Sequence, residues 1–176
     1  MPSHVASERP RRHPEPEQAE AALSEKGQAL ASLLEHMLKE FHPEIGTTVG
    51  EVVVTVVPTQ IVRVARMLRD NPETACDYLR CLSVVDYEES LQVVYHLYSL
   101  EKNHHLVVKT NMPYDNLHLP SVITVWPGAD WYEREGHDLF GLVFDGHPNL
   151  SPLILYEGFE GYPGRKSYPL NDYREW

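Results

Sequence analysis

Between Pro127-Gly128 and Gly146-His147-Pro148 the chain places Glu133, Arg134, Glu135, His137 and Asp138 within six residues of one another. No other stretch limits the fold as strongly. A solvated surface helix does not need this mixture of charge, glycine and bulky apolar residues, and a core helix would not tolerate it. A helix docked against a charged partner surface would use it. Pro127-Gly128 is a turn dipeptide that ends the strand-like run at 122–126. Asp130 stands where an N-cap belongs, and Glu133 follows at the spacing of a capping box. Gly141 follows Phe140 as a C′ glycine would. The spacing predicts a helix over 131–140. On a helical wheel Trp131, Tyr132, Gly136, Leu139 and Phe140 share one half, and Glu133, Arg134, His137 and Asp138 fill the other. Glu135 falls on the apolar half. It is therefore expected to be the desolvated carboxylate, met by a cation or by backbone N–H groups. Glu133 is expected to make only a capping contact.

The rest of the chain reads as one domain with appendages. Residues 1–27 form an N-terminal extension, rich in proline and mixed charge at its start and expected to be disordered. Residues 28–140 form the domain. Leu30, Leu33, Leu34, Met37, Leu38 and Phe41 recur at helical spacing, predicting a helix over 29–41 that ends at His42-Pro43. A β-branched strand at 51–57 is closed by Pro58. A helix over 59–69 turns Ile61, Ala65 and Leu68 inward and stops at Asp70-Asn71-Pro72. Strands at 78–86, 91–99 and 105–110, joined by short polar links, predict an antiparallel meander. Leu91, Val93, Tyr95 and Leu97 share one face of the middle strand, and Val94, His96 and Tyr98 share the other. The expected class is α+β in two layers, with helices packed on a mixed four- to five-stranded sheet. Residues 141–176 are an extended tail holding five glycines and four prolines among many aromatics. A long irregular segment is usually functional or disordered, and disorder is poor in aromatics. The tail is expected to drape over a partner and be ordered by it. The alternative is a tail folded back over its own sheet.

The composition excludes several functions. A net charge of −11 disfavours nucleic acid and direct attraction to anionic lipid. No apolar run approaches the ~18 residues of a membrane span. The start of the chain lacks the apolar region of a secretory signal, and Glu8, Glu15, Glu17 and Glu20 argue against a mitochondrial transit peptide. Cys76 and Cys81 match neither a zinc pair nor an iron–sulfur run and read as free, partly buried thiols. No glycine-rich phosphate loop and no nucleophile elbow occurs. Glu133 and His137 have the i, i+4 spacing of helical metal ligands, and Asp138 and His147 could join them. Arg134 lies in the same charged arc and would repel a cation, so salt bridges are the favoured reading. Arg134 and Asp138 themselves form an i, i+4 pair. His147, before Pro148, reads as a turn histidine whose ring bonds a nearby backbone group.

Glu133-Arg134-Glu135, Asp138-Leu139-Phe140-Gly141, Gly146-His147-Pro148 and Arg165-Lys166-Ser167-Tyr168-Pro169 stand in the order of a known signature. With Ser83-Val84-Val85-Asp86-Tyr87, the stretch from Val93 to Ser99 and Pro120-Ser121-Val122, they give residues 75–170 a family resemblance. The chain resembles the thirty-kilodalton subunit family of respiratory complex I, the C-type subunit of NADH:quinone oxidoreductase. Two positions depart from the pattern. Ser151-Pro152 stands where the family places basic residues, and Ser167 where it places an acid, so no ion pair is carried over there.

The resemblance implies a non-catalytic scaffold in the peripheral arm of a proton-translocating enzyme that passes electrons from NADH to quinone. It implies no prosthetic group in this chain, with FMN and iron–sulfur clusters in partner subunits. The implied neighbours are the D-type (forty-nine-kilodalton) subunit and the cluster-bearing B-type subunit, on the cytoplasmic side of a bacterial inner or plasma membrane. The implied partner interface comprises Glu133, Arg134, Glu135, Asp138, His147, Pro148, Tyr156, Arg165, Lys166 and Tyr168. Two alternatives stand beside it. One is the matching subunit of a ferredoxin- or F420-linked quinone reductase or a membrane-bound hydrogenase. The other is a free-standing metalloenzyme using Glu133, His137, Asp138 and His147.

Overall fold

A computed structural model describes residues 22–169, so the first 21 residues and the last aromatics, Tyr173 and Trp176, lie outside it. The expected disorder of the N-terminal extension therefore falls almost wholly on residues that are not described.

The sheet has five strands in the order β1-β2-β5-β4-β3, with β1 Glu44–Thr48, β2 Glu51–Thr55, β3 Tyr78–Asp86, β4 Ser90–Ser99 and β5 His104–Pro113. β2 runs parallel to β5, and the other pairs are antiparallel. The α+β class, the mixed sheet and the β3-β4-β5 meander are as expected. Two helices, α1 Glu25–Met37 and α2 Ile61–Asp70, cover one face. α1 starts four residues before the predicted helix, because Ser24 accepts the Gly27 N–H as its N-cap, and a 3-10 turn at Lys39–Phe41 completes the span. Leu30, Leu34, Leu38, Ile61, Val64 and Leu68 pack on Val52, Val54, Leu91, Val93, Tyr95 and Leu97. On the other face Val53, Val94 and Val107 make a small cluster of their own.

Sequence reading missed β1. Its turn to β2 is Val49-Gly50, both at positive φ, 52° and 78°. A two-residue hairpin loop with both centres positive normally shows as Asn-Gly or Asp-Gly, and valine gives no such signal. The predicted strand at 122–126 is also corrected. The extended piece lies just before it, as β6 His118–Pro120, which pairs in parallel with β7 Val143–Asp145. Residues 122–126 are a turn. The N–H groups of Val125 and Trp126 return to Val122 O, while Val125 O accepts from Arg69 and the Trp126 indole donates to Cys76 O. Those cross-chain bonds override the β propensity of Val122, Ile123 and Val125.

α3 spans Ala129–Phe140 and packs at the β3 edge. Tyr132 donates to Arg80 O at 2.9 Å, which occupies an edge carbonyl. Gly136 sits where a Cβ would lie 3.0 Å from Val84 and 3.3 Å from Phe144. That close approach sets how near α3 can come to the sheet. Gly136→Ala should destabilise the chain by about 1–3 kcal/mol through overpacking, read as a lower urea midpoint with an unchanged slope.

Candidate interface on the charged helix and the tail

α3 begins at Ala129, with Gly128 at the N-cap and no side-chain cap, so Asp130 lies inside the first turn. The expected capping box does not form. The arc that faces inward also differs from the expected one. The inward positions are Ala129, Glu133 and Gly136, at i, i+4 and i+7, while Trp131 is 66% exposed. The expectation for the two glutamates is therefore reversed: Glu133 is fully buried and Glu135 is half-buried. The small Ala129 and Gly136 let the helix approach closely, and the residue between them goes in with them. A wheel weighted by Trp131 and Leu139 could not show this.

Glu133 accepts from Ser121 Oγ at 2.5 Å and from the Val122 N–H at 2.7 Å. Burial pushes its carboxyl up to about 7, against the pull of those two donors, and the neighbouring Asp130 adds to the rise. Glu135 instead lines a cavity of about 230 Å³ with Cys81, Tyr132 and Gly136.

The rest of the charged arc binds the tail's main chain. Arg134 donates from Nε to Ser151 O (3.1 Å) and from Nη2 to Pro152 O (3.0 Å). Asp138 Oδ2 accepts from three successive N–H groups, Leu153 (3.2 Å), Ile154 (2.8 Å) and Leu155 (2.8 Å). Burial raises the Asp138 carboxyl, but those three donors outweigh it and hold it below the usual carboxylate range. Arg134 and Asp138 form no salt bridge among the described residues. Each finds better-oriented partners in the backbone. The family departure at Ser151-Pro152 leaves this contact intact, because the carbonyls, not the side chains, meet Arg134.

The C-terminus of α3 is closed by the same tail. Gly141, at φ 73°, returns its N–H to His137 O, and His137 Nδ1 donates to Leu142 O at 2.6 Å. The Gly164 N–H reaches Leu139 O, and Arg165 Nε reaches Phe140 O at 2.8 Å. A cation at a helix C-terminus also suits the helix dipole. The Arg165 guanidinium lies between the rings of Tyr162 (4.4 Å) and Tyr114 (5.3 Å). A Cβ on Gly141 would come within 2.7 Å of both Tyr162 and Arg165, so only glycine allows this seat. Further on, the Lys166 N–H donates to Asp86 Oδ2 at 2.7 Å, across 80 residues of sequence, and its ammonium meets Glu88 at 3.5 Å. Asp86 Oδ1 also takes the Glu88 N–H. Burial raises Asp86, yet the Lys166 and Glu88 N–H groups and the Tyr114 hydroxyl bring it below the ordinary value. Tyr114 is pushed up to about 12, by burial and then by that bond to Asp86.

Over its described residues the tail thus lies on the chain's own helix, in the folded-back arrangement. Its outward side carries Ile154 and Tyr156, 57% and 71% exposed. Tyr156 meets Phe159 edge-on at 5.4 Å, and Phe159 stacks on Tyr168 at 6.1 Å. Pro148 is exposed. The His147 ring is buried, and its Nδ1 accepts the Asn149 N–H, as a turn histidine was expected to do.

The four metal-ligand candidates do not converge. Glu133 and His147 come within 4.0 Å, but His137 is committed to Leu142 O and Asp138 to the 153–155 backbone. Asp86 and Ser121 were legible only as members of motifs and Asp130 only as a capping candidate, and none of the three was assigned to the interface; Tyr114 carried no signal at all.

Two outcomes follow from these bonds. Asp138→Ala should cost about 1.5–3 kcal/mol, the range for hydrogen bonds to a charged group, and should speed amide exchange at Leu153, Ile154 and Leu155. Glu133 works in the opposite sense with pH. Its folded value of about 7 lies above the ordinary 4.5, so the folded chain holds the proton more tightly. Its contribution is complete below pH 4.5 and is lost as pH rises to about 7. Across that window the stability of the wild-type chain should fall relative to Glu133→Gln, measured by denaturant titration at each pH.

Residues 54–174 match the family described as respiratory-chain NADH dehydrogenase, 30 Kd subunit. The chain is 44% identical over 124 residues to the NADH-quinone oxidoreductase C subunit of Roseiflexus castenholzii, covering 69% of this chain and 71% of that protein. It is 41% identical over 168 residues to the corresponding C subunit of a Methylobacterium species, covering 93% of this chain and 75% of the relative. Among solved structures, a trypsin-resistant fragment of Nqo5 aligns with a TM-score of 0.58 at 26% identity, over 68% of this chain and 98% of the fragment. A chain of the membrane-bound sulfane sulfur reductase, an archaeal respiratory membrane complex, aligns with a TM-score of 0.69 at 26% identity, over 83% and 87%. On these likenesses, and on the motifs that build α3 and its tail, the chain belongs to the thirty-kilodalton subunit family of respiratory-chain NADH dehydrogenase.

Proposed function

We propose that this chain is a scaffold, the C-type subunit in the peripheral arm of a proton-translocating NADH:quinone oxidoreductase. It contributes to the complex without holding a prosthetic group. Electrons pass from NADH through FMN and iron–sulfur clusters of other subunits to quinone. Its neighbours are the D-type (forty-nine-kilodalton) and B-type subunits, and through them it sits at the cytoplasmic side of the membrane.

One observation carries this reading. Arg134, Asp138 and Arg165 all bind main-chain groups, so α3 and the tail make one preorganised surface with Trp131, Ile154 and Tyr156 facing outward. A rigid surface with outward aromatics lowers the ordering cost of docking. The relatives at 44% and 41% identity support the NADH-linked complex. The likeness to a chain of the sulfane sulfur reductase supports a second reading, the matching subunit of a different respiratory membrane complex, and a ferredoxin- or F420-linked quinone reductase or a membrane-bound hydrogenase is the form we propose for it.

Affinity purification of the tagged full chain from its native membrane tests both. D-type and B-type subunits should co-purify, with NADH- and flavin-binding subunits alongside. Consistent absence of the NADH- and flavin-binding subunits would favour the second reading, and recovery of the chain alone would overturn the scaffold role. Arg165→Ala frees the Phe140 carbonyl and loosens the tail on α3, a loss of about 1 kcal/mol or more, and should lower the yield of assembled complex several-fold while quinone reductase activity per assembled complex is unchanged. The isolated chain should show no flavin or cluster absorbance and no stoichiometric metal by elemental analysis. One tightly bound metal per chain would argue for the metalloenzyme reading.

A further inference from the structure

His147 sits on the turn after β7 with its side chain wholly buried. Its Nδ1 accepts the Asn149 N–H at 3.0 Å and so carries no proton, which places the ring proton on Nε2. That Nε2–H lies 3.3 Å from Asp130 Oδ1 and 4.0 Å from Glu133 Oε2, and is aligned for a hydrogen bond to neither. A buried N–H without a partner is unfavourable, so it turns toward whichever carboxylate is charged and dry.

The two carboxylates differ. Asp130 is 40% exposed and its charge is screened by water, whereas Glu133 is fully buried. Glu133 takes two donors, Ser121 Oγ and the Val122 N–H, where a charged carboxylate has room for about four. No lysine or arginine lies within ion-pair distance of it among the described residues. The titratable groups facing it are Asp130 on its own helix, His147 on the turn and Tyr95 on β4, whose buried hydroxyl also has no partner.

We propose that Glu133 and His147 form a proton-operated latch. Loss of a proton from Glu133 draws the His147 Nε2–H, which has no hydrogen-bond partner in the structure, onto the Glu133 carboxylate, and this tightens the Gly146-His147-Pro148 turn against α3. When Glu133 regains the proton, its carboxyl O–H donates to Ser121 Oγ in the reverse of the bond Ser121 makes to the carboxylate, and the His147 Nε2–H is released to its unpaired position near Asp130. The proton adds to Glu133 because adding it at Nδ1 of His147 would break the Asn149 bond. The turn leads straight into residues 149–155, which Arg134 and Asp138 hold, so the latch acts on the tail's first anchor. Burial and the Asp130 charge place the switch near neutral pH. Every group of the latch belongs to this one chain, so it operates without a partner subunit.

NMR on the full-length chain tests it. The Glu133 carboxyl carbon should titrate within about one unit of 7. The His147 Nε2 shift should move with the same midpoint, and Asn149 amide protection, corrected for intrinsic rate, should rise at least about threefold from pH 6 to pH 8. In Glu133→Gln both pH dependences should vanish. Asp130→Asn should lower the Glu133 midpoint and the His147 midpoint together, since it removes a neighbouring negative charge. A Glu133 midpoint near 4.5, or a His147 transition that persists in Glu133→Gln, overturns the proposal. If Glu133→Gln does not fold, Asp130→Asn decides. A His147 midpoint that stays while that of Glu133 moves overturns the latch, and joint movement supports it.

Discussion

Glu133, Arg134 and Asp138 of α3 are bound to main-chain N–H and C=O groups, and the arrangement of residues 121–155 depends on this. Glu133 fixes the 121–122 corner to the helix from inside. Asp138 and Arg134 fix residues 151–155 to it from outside. Hydrogen bonds to charged groups are roughly twice as strong as neutral ones, and a backbone partner has little side-chain entropy to lose. An irregular segment rich in glycine and proline cannot satisfy its own N–H and C=O groups by a ladder. The charged helix supplies the missing partners.

The second anchor works at long range. Asp86, at the end of β3, holds the Lys166 N–H, and Arg165 closes the end of α3 between two tyrosines. The tail is thereby tied to both the helix and the sheet. Gly141 makes this possible, since any side chain there would collide with Tyr162 and Arg165. The motif Arg165-Lys166 is therefore used within the subunit before it can be used between subunits. Membership of this respiratory subunit family accords with such a body, a small sheet domain whose motif charges build its own surface.

The balance of charge inside α3 carries a cost in pH tolerance. Asp138 and Asp86 are stabilised as anions by several N–H donors, while Glu133 is destabilised as an anion by burial. The first two contribute above the ordinary carboxylate range and are lost only in acid. Glu133 acts against them as pH rises to neutral. One helix therefore carries groups of opposite pH sense, and the buried one lies 4.0 Å from a histidine on the turn after β7.

The sequence by itself determined the class and most of the elements. Period-two alternation in β4 and period-3.6 spacing in α1 and α2 are local signals, and the bulk of the core reads directly from them. Family membership was legible for the same reason, because it rests on the order of short motifs. What the tertiary structure decided was which charge is buried and where the tail lies. Trp131 is a large aromatic residue of α3 and yet faces out, because Ala129 and Gly136 allow the closer approach and carry Glu133 inward. The run at 122–126 has β propensity but becomes a turn, because Arg69, Cys76 and Glu133 claim its backbone and indole groups from distant parts of the chain. Burial and hydrogen bonding between residues tens of positions apart leave no periodic trace, so no local pattern could have reported them.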